Sequence, residues 1–153
     1  MGDYKIFCSY FIEEKALFGG FPSQEQADIL LGMNVKYFVD LTFPTEVPTK
    51  YTISDDCRYI NYPIPDRSVP NNVTDFTSVL LRVSDVLNSL SENEKLYVHC
   101  KGGHGRSGIL VACLIYLYFQ NKSTRECLML TNEAHNKRTI MRDKWRRIGS
   151  PQT

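Results

Sequence analysis

The sequence predicts a single α/β domain with a central, mostly parallel sheet of four or five strands flanked by helices on both faces. Three observations predict it. Strand-like runs alternate with segments of helical period, the pattern of a parallel sheet covered by helices. One stretch, 96–119, reads as a buried strand, a glycine-rich loop and a long apolar helix. The length, 153 residues, suits one domain (1–153) with one sizeable core.

Each element follows from local chemistry. Ile6, Phe7, Tyr10, Phe11, Ile12, Leu17 and Phe18 precede a break at Gly19, Gly20 and Pro22, so one or two short strands and a turn are expected. Ser23 is an N-cap candidate for a helix from Gln24 to about Gly32, with Ala27, Leu30 and Leu31 at helical spacing. Residues 35–41 are β-branched and aromatic without helical period, and read as a largely buried strand. Pro44 and Pro48 mark a loop, and 58–62 is a further strand. Pro63, Pro65 and Pro70 then stiffen a surface segment that holds Asp66.

Asn71 or Asn72 caps the next helix. Its apolar positions, Val73, Phe76, Val79, Leu80, Val83, Val86, Leu87 and Leu90, recur every three or four residues. Ser123 and Glu126 have capping-box spacing ahead of a helix from Thr124 to about Asn136, with Cys127, Leu128, Leu130, Thr131 and Ala134 facing in. A last basic helix, with Trp145 as a core or docking aromatic, is expected over roughly 139–148.

Composition narrows the function classes. Net charge is +1, so no whole-protein field draws the chain to nucleic acid or a membrane, and any electropositive site is local. The five cysteines, Cys8, Cys57, Cys100, Cys113 and Cys127, form no C-x-x-C pair, so zinc-site spacing is absent. Their odd number, without a signal peptide, argues for a reducing, cytoplasmic setting, with the nucleus also compatible. The longest apolar run, 109–119, is about half of what a membrane span needs, so no stable insertion is expected. A monomer is assumed.

The chemistry concentrates at residues 99–107. Gly102, Gly103 and Gly105 let successive N–H groups converge on one anion at a helix N-terminus. Arg106 supplies a planar two-pronged donor for phosphate oxygens. Such surroundings lower thiol pKa values from about 8.5 into the range of about 3.5–7.5, which makes Cys100 the candidate nucleophile. A thiolate beneath a bound phosphate is placed for in-line attack, giving a covalent thiophosphate while the amides and Arg106 stabilise the equatorial oxygens. Asp66 is the candidate proton donor to the leaving oxygen, with Asp40, Asp55, Asp56 and Asp75 as alternatives, and Ser107 assists the thiolate when it departs. His99 holds the loop through backbone hydrogen bonds. The scheme needs no metal and no cofactor.

His99-Cys100-Lys101-Gly102-Gly103-His104-Gly105-Arg106-Ser107-Gly108 resembles the signature of the cysteine-dependent protein tyrosine phosphatase superfamily: His-Cys, five residues, Arg, then Ser or Thr. Pro65-Asp66 with Pro70 resembles that superfamily's general-acid loop. The Asp66–Cys100 separation and the run 17–23 resemble its small dual-specificity branch. The resemblance spans roughly residues 17–136. It implies the fold, a two-step mechanism with a cysteinyl-phosphate, and the roles of Cys100, Arg106 and Asp66. Gln152 resembles a water-positioning glutamine of part of the superfamily. No match to the phosphotyrosine-recognition loop of the larger enzymes is found.

Substrate class is less sharply drawn. Lys101 and His104 add basic groups to the phosphate-binding loop, as in phosphoinositide-directed members, and some relatives act on RNA 5′-phosphates. With a net charge of +1, phosphorylated protein is the favoured partner, ahead of a polyanionic lipid or RNA. A non-catalytic phosphate-binding module is the alternative of another class. Cys8 or Cys57 would act as a resolving thiol only if close to Cys100, and Cys113 and Cys127 are read as small core residues.

Overall fold

The computed structural model describes residues 3–47, 49–65, 70, 72–139, 146 and 148–151. Asp66, Trp145, Gln152 and most of the predicted last helix lie outside them.

Five strands form one sheet: β1 (Cys8–Ile12), β2 (Ala16–Gly19), β3 (Val35–Asp40), β4 (Arg58–Asn61) and β5 (Lys95–His99). Their spatial order is β1-β2-β5-β3-β4. β1 runs antiparallel to β2, and the other three pairings are parallel. Among the described residues the α-helices with defined bounds are α1 (Gln24–Gly32), α2 (Val73–Ser89), α3 (Arg106–Phe119) and α4 (Thr124–Asn136).

Alternation along the strands sorts the core into two layers. Leu17, Phe38 and Tyr97 pack with Leu30 of α1 on one face. Their neighbours Phe18, Val39 and Val98 pack with Val83 and Leu87 of α2, Leu110 and Leu114 of α3, and Cys127 of α4 on the other. Of these four helices, one therefore covers one face and three cover the opposite one.

Capping sets most helix starts. Ser23 and Ser123 each complete a reciprocal capping box, with Gln26 and Glu126. Asn72, not Asn71, caps α2 by accepting from the Asp75 amide. Gly105 precedes α3 without a side-chain cap. A missing cap costs a helix about 1 kcal/mol. Burying Leu110, Val111, Leu114 and Ile115 contributes roughly 6–12 kcal/mol as an upper bound, so packing fixes α3 without one.

Two expected core positions turn outward. Val73 is 76% exposed, because the buried stripe of α2 begins only at Val83. Leu128 is 42% exposed, and α4 instead buries Cys127, Thr131, Ala134 and His135. The topology places the loop after β5 at the carboxyl end of the central strand, between its parallel neighbours β2 and β3. Ligands bind at that position in open α/β sheets.

Candidate active site

Residues 100–106 fold over the end of β5, with Cys100 3% exposed. The Gly103 N–H donates to Cys100 Sγ at 3.3 Å, and the sulfur lies 3.4 Å from the buried Ser107 Oγ. Gly103 has φ +80°, and a Cβ there would lie 2.4 Å from the Gly19 carbonyl carbon. Only glycine satisfies both that angle and that approach. The Phe21 N–H donates to the Lys101 carbonyl at 3.0 Å, and the Tyr97 hydroxyl donates to the Gly20 carbonyl at 2.6 Å. The β2 turn therefore serves as the floor of the loop.

Arg106 is the first residue of α3, and its side chain is buried. Its Nη1 donates to Glu46 Oε2 at 2.8 Å and to the Ile64 carbonyl at 3.0 Å. Burial raises the Glu46 pKa. Hydrogen bonds from Arg106 and the Phe43 amide, with the charges of Arg106 and Lys101, outweigh this and hold it below the ordinary value. Ile64, two residues before Asp66, is thus anchored on Arg106.

His99 is fully buried behind the thiol. Its Nδ1 lies 3.3 Å from the Cys100 carbonyl and 3.7 Å from Asp40 Oδ1, and its Nε2 lies 2.7 Å from the Tyr51 hydroxyl. The carbonyl can only accept, so Nδ1 carries the proton and Nε2 accepts from Tyr51. Burial pulls the His99 pKa down to about 4, so the ring is neutral near pH 7. Asp40 accepts from the Thr42 amide and hydroxyl and from the Tyr59 hydroxyl.

The remaining basic groups of the loop part company. Lys101 is exposed. The His104 Nδ1 lies 2.7 Å from His135 Nε2, and the His135 Nδ1 lies 2.8 Å from Asn136 Oδ1. Burial first, then Arg138, pulls both imidazoles down to about 4, so the pH-dependent charge expected of His104 is missing near neutrality.

All three histidines are therefore neutral, His99 and His135 buried and His104 half-buried. The unfolded chain takes up their protons as pH falls through about 6.5, whereas the folded chain does so only near 4. Stability is retained above that window and lost as pH falls across it. At pH 5 the loss for His99 is about 2 kcal/mol, and the His104–His135 pair adds to it. Urea midpoints should fall clearly between pH 7 and pH 5, and equal midpoints would contradict this assignment.

Four contributors were not singled out from sequence. Glu46 and Tyr51 lie on the loop after β3, and the former is the acid that a buried arginine requires. His135 lies on α4, 31 residues from its partner. Ser150 lies beyond the predicted last helix. It donates through Oγ to the His104 carbonyl at 2.7 Å, and a Cβ on Gly108 would meet that Oγ at 2.1 Å. Cys8 and Cys57 pack in the α1-side layer and Cys100 in the opposite one. No described helix is long and apolar enough to cross a membrane.

Solved structures share this architecture. Tk-PTP in its active form aligns with a TM-score of 0.68 at 21% identity, covering 92% of each chain. Human DUSP28 aligns with a TM-score of 0.66 at 11% identity, covering 94% of this chain and 84% of its own. At these identities the likeness shows the fold alone, that of the dual-specificity phosphatases. Sequence carries the assignment further: the chain belongs to the PTP-SAK family, described as the DSP-PTPase phosphatase domain of a Swiss Army Knife protein, which matches residues 9–150. A protein of Invertebrate iridescent virus 6 named as tyrosine phosphatase 197R is 43% identical over 118 residues, 71% of this chain and 44% of the relative. Its counterpart 067L in Invertebrate iridescent virus 3 is 39% identical over 141 residues, 92% of this chain and 58% of the relative. The chain thus spans about half the length of these curated relatives.

Proposed function

We propose that this chain hydrolyses phosphate monoesters, chiefly phosphotyrosine and phosphoserine or phosphothreonine in proteins, through a cysteinyl-phosphate. One observation carries the reading. The Cys100 sulfur receives a loop amide and faces Ser107 at a helix start without a side-chain cap, where Arg106 is fixed by Glu46. The thiolate attacks phosphorus, the S–P bond forms and the ester P–O bond breaks. The loop N–H groups from Lys101 through Gly102, Gly103, His104 and Gly105 to Arg106, with the Arg106 guanidinium, hold the equatorial oxygens. His104 contributes its amide and not a charge. His99 supports the loop from behind.

Asp66 protonates the leaving oxygen. It then accepts a proton from the water that cleaves the S–P bond, while Ser107 donates to the departing thiolate. No metal or cofactor enters the scheme. Five free thiols support a reducing, cytoplasmic setting, and the chain acts as a monomer.

A second reading has its own support. Lys101 and Lys50 border a cleft of about 400 Å³ whose lining, among the described residues, holds Gln24, Gln26 and Thr49 and no carboxylate. That favours a substrate with a second phosphate, such as a phosphoinositide or an RNA 5′-triphosphate. Phosphate release from phosphotyrosine and phosphoserine peptides, phosphoinositides and RNA 5′-triphosphate separates the two. The protein reading expects kcat/KM on phosphopeptides to exceed the others by about tenfold or more, a difference of roughly 1.4 kcal/mol in transition-state binding. The reverse order would install the polyphosphate reading.

A further inference from the structure

Two arginines are buried among the described residues. Arg106 has Glu46. Arg138, 4% exposed, has no carboxylate within 4 Å among the described residues. Its Nη2 donates to the Phe18 carbonyl at 3.3 Å, and its Cζ lies 4.7 Å from the Phe18 ring centroid. Its Nε, also buried, has no hydrogen-bond partner. Arginine stays protonated in proteins, so this is a buried cation with an incomplete set of partners. The Phe18 ring and the carboxyl end of α4 offset the cost only in part. Folding alone gives no reason to keep a charge there.

Its location suggests one. The carbonyl it binds belongs to the peptide between Phe18 and Gly19, and Gly19 is the backbone against which Gly103 packs. Gly103 in turn donates its amide to Cys100 Sγ. On its other side, Arg138 follows α4, whose His135 engages His104 of the loop. The groups around the thiol on every packed element can be sorted by charge. Arg106 is neutralised by Glu46, His99 is neutral and close to Asp40, the His104–His135 pair is neutral, and Lys101 is exposed to solvent. Among the described residues, Arg138 is the buried charge with no carboxylate partner.

We infer that Arg138 is a positioning residue that favours the thiolate of Cys100 electrostatically, from behind the loop, without touching substrate. This rests on Cys100 being the nucleophile. Burial pushes the Arg138 pKa down, and proximity to Tyr97, Cys100 and Cys8 offsets part of this.

The test reads the thiol and not turnover. Alkylation of Cys100 by iodoacetamide is followed by mass spectrometry against pH in the wild type, R138M, R138Q and R138K. The neutral variants should move the alkylation midpoint up by about one pH unit, roughly a tenfold loss of thiolate at a fixed acidic pH. R138K, which keeps the charge, should stay near the wild type. R138M should melt no lower than the wild type, since it removes a buried charge that has no carboxylate partner among the described residues. Should R138M fail to fold, R138Q and R138K carry the comparison. A midpoint unmoved in the neutral variants, or moved equally in R138K, overturns the inference. An inactive wild type would instead overturn the phosphatase reading and leave the alkylation result standing.

Discussion

Cys100→Ser is expected to abolish phosphate release, by about 10⁴-fold or more, with the fold intact. Serine keeps the position and the hydrogen-bonding capacity of the thiol. The Gly103 N–H still finds an acceptor and Ser107 still finds a neighbour, so stability should change by about 1 kcal/mol or less. Reactivity is what is lost, because a hydroxyl in this setting ionises far less readily than a thiol. His99 is placed behind the loop but is committed, with Nδ1 on the Cys100 carbonyl and Nε2 on Tyr51. It cannot activate a serine. The measurement is p-nitrophenyl phosphate turnover by the wild type and the variant, together with inorganic-phosphate binding by both. A wild type no faster than Cys100→Ser, with equal binding, would leave a phosphate-binding module and remove the enzyme.

Local chemistry was legible from the sequence, and long-range pairing was not. The α1 and α4 starts followed from Ser23 and Ser123, whose partners lie three residues on. The strand–loop–helix from β5 to α3 followed from apolar runs and glycines in one continuous stretch. Sequence position could not indicate that Glu46 crosses 60 residues to reach Arg106, or that Tyr51 crosses 48 to reach His99. Those contacts exist because β3 lies beside β5 in the sheet, an adjacency set by topology. His104 shows the same limit from another side. Within the loop it reads as a partly charged basic group, but His135, 31 residues away, and partial burial leave it neutral. Val73 and Leu128 fit the helical period and still face outward, because period assigns a face while the neighbouring elements decide how far along it burial extends.

The Arg106–Glu46 pair supplies the second large effect, and its two halves should fail differently. Arg106→Lys should lower kcat/KM by about 10²–10³, because a point charge on a flexible stem cannot reproduce the planar fork that matches phosphate oxygens. Glu46→Gln should act mainly on stability. It removes the Glu46 carboxylate from the buried Arg106, whose hydrogen bond to the Ile64 carbonyl stays. Breaking one side of a buried pair costs several kcal/mol; with the Glu46 side chain 19% exposed, about 2–3 kcal/mol is expected. The pH dependence identifies the cause. The Glu46 pKa is held below its ordinary value of 4.5, so its contribution is present above that pH and disappears as pH falls through the lower, folded value. The gap between the wild type and Glu46→Gln should be full at pH 7 and close below pH 4.5. Protonation of the three histidines destabilises both proteins alike and cancels in the difference. Urea denaturation of the two at pH 7, 5 and 4 measures it. A gap that stays constant across this range would mean that Glu46 supports Arg106 through shape and not through charge.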